Sequence, residues 1–277
     1  MTKTQTFIKF NSIFALALLV LSFESTFAIN PSRTYQAKPN DLGIRFETLK
    51  IKVNDSIVLN SWACLQKDLR KPFVIISNSD AGNMSNSLGQ AQALFLQGYN
   101  LILYDYRGFG ESSDFGIDKN MMYYDEFSED LSKVIAFADT KFKPTSIVLY
   151  GMSMGTIVSR MNLTTSSAIK GLILDSFVID PTLVVDRIFE FKQKKVNLPI
   201  TSSEYIRSNK KPLNKPVLIF SGLKDPVTKT IDYAAFLAAN KKAKMITSDC
   251  GHLESFISMG IDPNVYVDEI IKFIQQL

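Results

Sequence analysis

The stretch Ser146-Ile147-Val148-Leu149-Tyr150-Gly151-Met152-Ser153-Met154-Gly155 decides how the rest of this chain is read. Its first five residues have the composition of a buried strand, and Met154 to Leu163 continues as a helical pattern. Between them lies Gly-x-Ser-x-Gly. A serine at such a strand-to-helix turn is held in a strained conformation, and the flanking glycines let strand and helix approach closely. Its hydroxyl then projects beyond the strand end, over a helix N-terminus that favours negative charge. Ser153 is therefore a candidate nucleophile.

Strand-length apolar runs alternate with helical patterns on both sides of this turn. Arg45 to Val53 and Ile57 to Leu65 read as two strands joined at Asn54-Asp55, an antiparallel opening. Phe73 to Ser77, Asn100 to Tyr104, Gly171 to Leu174, Val217 to Phe220 and Ala243 to Thr247 are further strand candidates. Helices are expected from Leu88 to Phe95, along the stripe Phe127, Leu131, Val134, Ile135 and Ala138, from Ile231 to Ala239 and from Val265 to Leu277. Apolar strands alternating with amphipathic helices predict an α/β architecture, a mostly parallel eight-stranded sheet with helices on both faces.

A serine hydroxyl is a weak nucleophile until an imidazole takes its proton and an anion holds that imidazole in the right tautomer. The chain has one histidine, His252, in the loop after the last strand. Asp225 follows the preceding strand, in Ser221-Gly222-Leu223-Lys224-Asp225-Pro226. The chain order Ser, Asp, His is the one expected when a Gly-x-Ser-x-Gly turn sits on such a sheet. Asp175, directly after the sixth strand, is an alternative acid that could reach the same histidine.

Composition narrows the function classes. The chain has 277 residues, 46% hydrophobic and 21% charged, which excludes disordered, collagen-like and coiled-coil classes. Thirty-one basic residues against 27 acidic give +4. Without a basic stripe interleaved with aromatics, no nucleic-acid partner is expected. Lys3 and Lys9 precede the apolar run Ile13 to Leu21, and small residues lead to Ala28. This reads as a cleavable secretory signal over 1–28, shorter than the ~20 apolar residues of a membrane span. The expectation is an exported protein, periplasmic or secreted, with its domain over 29–277. Cys64 and Cys250 are expected to remain unpaired and buried.

Residues 176–215 break the strand-helix rhythm. They hold eight basic and four acidic residues, net +4, and an amphipathic stretch around Leu183 to Phe191. We read them as a small cap inserted between strands six and seven. Leu183, Val184, Ile188 and Phe189 would suit an acyl chain, and the charge would suit anionic substrates or a peripheral contact with a lipid surface.

From about Arg45 onward the chain resembles the α/β-hydrolases, and is most similar to bacterial serine hydrolases of the esterase and lysophospholipase-like kind. The resemblance rests on Tyr104-Asp105-Tyr106-Arg107-Gly108-Phe109-Gly110-Glu111-Ser112, the Ser153 turn, Gly222-Leu223-Lys224-Asp225 and Gly251-His252. It implies hydrolysis of a carboxylic ester through Ser153, His252 and Asp225 and an acyl-enzyme, with no metal or organic cofactor and a small-molecule or lipid-like acyl ester as substrate. A peptidase or thioesterase would use the same triad, and a binding protein could keep the fold with weakened catalysis. Similar members carry His-Gly-Asn-Ala-Gly-Asn after the third strand, where this chain reads Asn78-Ser79-Asp80-Ala81-Gly82-Asn83. By that correspondence the oxyanion hole takes the backbone N–H groups of Met154 and Asp80, and the Asp80 carboxylate is a departure. The resemblance gives the Arg107 segment a loop-shaping role and no chemical step.

Overall fold

Because side chains alternate along a strand, a sheet buried on both faces sorts its own sequence into two cores. The computed structural model, which describes residues 28–260 and 265–277, shows this sorting strand by strand. The apolar run expected to be a secretory signal lies outside the described residues. Short β1 (Asn30–Pro31) precedes β2 (Glu47–Lys52), β3 (Val58–Cys64), β4 (Phe73–Ser77), β5 (Ala81–Gly82), α1 (Leu88–Leu96) and β6 (Asn100–Tyr104). Then come α2 (Tyr124–Lys141), β7 (Ile147–Met152), α3 (Met154–Met161), β8 (Ile169–Asp175), α4 (Pro181–Lys192) and α5 (Ser202–Asn209). The chain closes with β9 (Val217–Gly222), α6 (Ala234–Ala239), β10 (Ala243–Ser248), α7 (Ser255–Ser258) and α8 (Val265–Gln275).

Eight strands form one sheet in the order β10-β9-β8-β7-β4-β6-β3-β2. Only the β2–β3 and β3–β6 pairings are antiparallel, as the turn at Asn54-Asp55 predicts for the opening pair. Ile147 and Leu149 of β7 face one core with Phe127, Leu131, Val134 and Ile135 of α2. Val148 and Tyr150 face the other, with Leu88 and Leu94 of α1 and Tyr266, Ile270 and Phe273 of α8. Fully burying one such aliphatic or aromatic side chain contributes about 1.5–3 kcal/mol, so the two layers hold the sheet between them. Parallel strands place β4, β7, β8, β9 and β10 with their carboxyl ends on one edge, where Asp175 ends β8 and Ser153, Asp225 and His252 follow in the loops.

Two details differ from the sequence reading. Residues 230–233 open as a 3-10 turn before α6, so the predicted Ile231 to Ala239 helix is really two pieces. An additional parallel bridge joins β1 to β5, pairing Asn30 with Ala81 and Pro31 with Gly82. A two-residue strand has no periodicity to read. Cys64 and Cys250 are free and buried.

The insertion between β8 and β9 carries α4 and α5. Asp180 caps α4 by accepting the Thr182 N–H at 2.9 Å, with Pro181 in the first turn. Val184 is buried, and Val185 and Ile188 pack on the same core, whereas Leu183 and Phe189 are exposed. Of the four residues expected to line an acyl site, Val184 and Ile188 therefore face inward; 3.6 residues per turn carries the other two to the flanks. The insertion is tied down at several points. The Asn197 N–H donates to the Asn120 carbonyl at 2.7 Å, and the Met122 N–H to the Asn197 carbonyl at 2.9 Å. Thr201 bonds Asp125, and within the insertion Tyr205 donates to the Val178 carbonyl at 2.7 Å. Arg187 forms a forked pair with Asp232 at 2.6 and 2.8 Å and donates to the Val227 carbonyl. One of the cations behind the +4 count is thus neutralised by a residue outside the segment.

Arg107 shows what its loop-shaping role consists of. Its Nε and one terminal nitrogen donate to Asp130 Oδ1 at 2.9 and 2.6 Å, and its backbone N–H donates to Oδ2 at 2.9 Å. Both side chains are buried, 6% and 0% exposed, and the pair clamps the loop after β6 to α2. Burial pushes the Asp130 carboxyl up to about 6 despite the guanidinium. Removing one member of such a pair leaves a buried uncompensated charge, costing about 3–5 kcal/mol. Arg107→Leu should therefore lower stability by that amount in urea unfolding. Lys141→Ala, which breaks the half-exposed pair with Glu47, should cost under about 1 kcal/mol. Equal losses would show that the Arg107 clamp is no stronger than a surface pair.

Candidate active site

The turn after β7 follows from what its glycines leave out. A Cβ on Gly151 would overlap the Gly155 carbonyl, and a Cβ on Gly155 would overlap the Ser77 carbonyl at the end of β4. With those atoms absent, α3 packs directly on the sheet edge and Ser153 is forced to φ 49°, ψ −118°. That left-handed region is costly for a side chain, of order 1–3 kcal/mol, and persists only where surroundings over-determine it. Here they do so through the Ser153 N–H, which donates to the Asp175 carbonyl at 2.9 Å, and the Ser153 carbonyl, which accepts from Thr156.

Two further loops meet the serine. His252 Nε2 lies 2.9 Å from Ser153 Oγ, and His252 Nδ1 lies 2.8 Å from Asp225 Oδ2. Asp225 is 4% exposed, and its other bonds come from the Val227 and Thr228 N–H groups at 2.7 and 2.9 Å and the Thr228 hydroxyl at 2.6 Å. The acid is thus rigidly oriented. Burial alone would raise its pKa, but the His252 ring and Thr228 outweigh that and hold it below the usual carboxylate range. Burial likewise works against the imidazolium, yet Asp225 first, then Asp80 and Asp175, lift His252 above its ordinary value. Gly222 lets the two loops touch, since a Cβ there would overlap the Cys250 carbonyl. The Lys224 N–H donates to that same carbonyl at 2.9 Å.

The structure therefore brings Ser153, His252 and Asp225 together as the residue order predicts. It places Asp175, the alternative acid, beside them with different partners: Tyr266 donates to it at 2.7 Å. Met154 opens α3, where a backbone N–H has no carbonyl one turn back to bond. Asp80 lies between β4 and β5. Its carbonyl accepts the Asn30 N–H at 2.9 Å, and its carboxylate is close enough to raise the pKa values of His252, Tyr106 and Tyr124. An anion so placed favours a protonated histidine and opposes a developing oxyanion.

Sequence reasoning missed what holds that loop. The Ser32 N–H donates to the Gly82 carbonyl at 2.7 Å, Asn83 Nδ2 donates to the Thr34 carbonyl at 2.8 Å, and Tyr106 donates to the Asn78 carbonyl at 3.0 Å. Tyr35 bonds Asp105 and also accepts from Asn60 Nδ2 at 2.8 Å. Residues 28–35 thus form a strap across the loop after β4. Only the polar side chains of this segment hinted at such partners, and nothing in their spacing named them.

A serine at a left-handed strand-to-helix turn, on the carboxyl edge of this strand order and facing His and Asp from the last two strand loops, is the arrangement of one fold. By fold, the chain is an α/β-hydrolase. The family described as "Serine aminopeptidase, S33" matches residues 73–200. The chain is 26% identical to the uncharacterized protein YfhR of Salmonella typhimurium, over 97% of this chain and 94% of that one. It is 24% identical to protein bem46 of Schizosaccharomyces pombe, over 71% of this chain and 66% of that one. Among solved structures, the esterase Pf2001 of Pyrococcus furiosus superposes with a TM-score of 0.71 at 19% identity, covering 90% of this chain and 99% of that one.

The glycine contacts make a direct test. Gly155→Ala forces a methyl against the Ser77 carbonyl, and overpacking of this kind costs about 1–3 kcal/mol. Its urea midpoint should fall accordingly, whereas Gly98→Ala, where an added Cβ meets nothing within 4 Å but φ is +90°, reports backbone strain alone. A Gly155→Ala midpoint equal to wild type would show that α3 can retreat from β4.

Proposed function

We propose that the protein is a serine hydrolase that cleaves a carboxylic ester in two steps through an acyl-enzyme on Ser153. The observation that carries this reading is the unbroken contact from Asp225 Oδ2 to His252 Nδ1 and from His252 Nε2 to Ser153 Oγ. With Nδ1–H donating to Asp225, Nε2 is left as the acceptor, the tautomer a general base needs. His252 takes the Ser153 proton as Oγ attacks the acyl carbonyl carbon. The N–H groups of Met154 and Asp80 hold the oxyanion, and His252 returns the proton to the departing alkoxide. Water, deprotonated by the same ring, then releases the acid and regenerates Ser153. The Asp80 carboxylate so close to His252 weakens this oxyanion hole while strengthening the base. The reading extends to an exported enzyme, supported by Lys3, Lys9 and the apolar run that follows.

A second reading, amide cleavage, is favoured by the aminopeptidase description of the matching family. One experiment separates the two and also tests catalysis as such. A fluorophosphonate probe should label wild type and leave Ser153→Ala unlabelled, and a chain-length series of p-nitrophenyl esters should be turned over faster than the Ser153→Ala blank. Failure to label would favour a binding protein on this fold. Ser153-dependent peptide cleavage without ester turnover would make it a peptidase.

The pH dependence follows from the signs above. His252 must be neutral to act as base, and its raised pKa means that activity is lost as pH falls through a value above the ordinary ~6.5. The acid limb of kcat/KM should be centred above that value, and Asp225→Asn should move it down while lowering kcat by about 10⁴-fold. A limb that stays in place in Asp225→Asn would remove Asp225 from the triad. For export, the N-terminal residue of the mature protein should be Ile29 by mass spectrometry, and a mature chain beginning at Met1 would refute cleavage.

A further inference from the structure

Behind the triad lies a carboxyl group that the reaction scheme does not use. Asp175 ends β8 and is 1% exposed. Tyr266 of α8 donates to its Oδ2 at 2.7 Å, and the Tyr266 hydroxyl is itself 2.5 Å from the Tyr150 hydroxyl of β7. The Ser176 hydroxyl lies 3.4 Å from Asp175 Oδ1 and accepts the Leu253 N–H at 3.0 Å. Leu253 directly follows His252. A chain of polar contacts thus runs from the interior of the sheet to the backbone beside the base, while the Asp175 carbonyl holds the nucleophile's own N–H.

Two strained residues mark where this chain matters. Ser176 and Leu253, at φ 53° and 60°, both occupy the left-handed region, and the hydrogen bond between them joins the two. Neither is glycine, so both conformations must be maintained by their surroundings. A serine there supplies a hydroxyl that glycine would lack, linking the Asp175 carboxyl to the His252 loop. Electrostatics point the same way. The groups facing Asp175 are Tyr266, Ser176, His252 and Asp225, with Tyr150 behind Tyr266. Burial pushes the Asp175 carboxyl up to about 6, against the Tyr266 hydrogen bond and the attraction of His252. Asp175 in turn raises the His252 pKa.

We propose that Asp175 is a positioning residue for His252, a second acid that fixes the base's loop through Ser176 and Leu253 and adds its charge to that of Asp225 behind the imidazolium. This rests on the serine-hydrolase reading of Ser153 and His252. Asp225 orients the ring by direct contact. Asp175 acts through the loop backbone and through space, and Tyr266 keeps it ionised by donating to it.

The test is the pH profile of ester turnover for wild type, Asp175→Asn and Tyr266→Phe, with fluorophosphonate labelling and thermal unfolding measured on each. Asp175→Asn removes an anion that favours the imidazolium, so its acid limb should move to lower pH. Its plateau kcat should fall roughly tenfold, the equivalent of one pKa unit of lost interaction, with KM little changed. Tyr266→Phe leaves the carboxyl but removes its donor, raising the Asp175 pKa. With Asp175 more often neutral, less negative charge stands behind the imidazolium, so the Tyr266→Phe acid limb should also move to lower pH, by less than in Asp175→Asn. Acid limbs displaced to lower pH in both variants, further in Asp175→Asn and with KM little changed, support the proposal, since general loosening of the fold would lower activity and unfolding temperature without a directed shift of the limb. A labelled, active Asp175→Asn with wild-type plateau and limb would overturn it while leaving the hydrolase reading intact. Absence of labelling and turnover in wild type would instead overturn the hydrolase reading on which it rests. If Asp175→Asn fails to fold, the Tyr266→Phe profile decides, and an unshifted limb there overturns the proposal.

Discussion

The closeness of α3 to the ends of β4 and β7 is the constraint on which the site depends. Two missing side chains, at Gly151 and Gly155, allow backbone to lie on backbone, and in the short connection left over Ser153 sits at positive φ. Strain there is of order 1–3 kcal/mol, small beside the two cores that clamp the sheet from either face. The architecture can therefore hold a serine hydroxyl at a fixed point on the sheet edge. Every other part of the site is defined by its distance from that point.

The loops that bring Asp225 and His252 to Ser153 are positioned with similar economy. β9 and β10 are adjacent and in register from Val217 with Ala243 to Gly222 with Ser248. Their loops accordingly leave the sheet side by side and touch at Gly222 and Cys250. Asp225 is saturated with hydrogen bonds from its own loop before His252 arrives, which removes its freedom to turn away. The insertion above them is anchored by Arg187 to Asp232, seven residues beyond Asp225 in the same connection. The insertion and the Asp225 loop are thus mechanically joined. Because that anchor neutralises a cation, the charge of the segment is a poorer guide to anionic ligands than its residue count implies.

Polar chemistry around Ser153, His252 and Asp225 is unevenly distributed. Three carboxyl groups, Asp225, Asp175 and Asp80, each act on the single histidine. One is held low by its partners, one is pushed up by burial, and one lies in the loop after β4. The strap formed by residues 28–35 closes over that last loop. Its hydrogen bonds to Asp80 and Gly82 make the conformation of the loop depend on chain far upstream of any motif.

The fold was legible in the sequence because its signals are local. Apolar strand runs, the stripe from Phe127 to Ala138 and the Gly-x-Ser-x-Gly turn each follow from spacing alone, and they matched the sheet strand for strand. The candidate triad was legible for a related reason: one histidine and an ordered set of strand-end loops left few alternatives. Choosing between Asp225 and Asp175 required tertiary structure, since both follow strands that end on the same edge and only the path of each loop sets which carboxylate meets Nδ1. The bridge of Asn30 and Pro31 to Ala81 and Gly82, the inward face of α4, and the Tyr150–Tyr266–Asp175 contact were likewise decided in three dimensions. These join residues 51 to 116 positions apart, through hydrogen bonds that leave no periodic trace along the chain. Sequence periodicity reports which face of an element is buried; it does not report what that face meets.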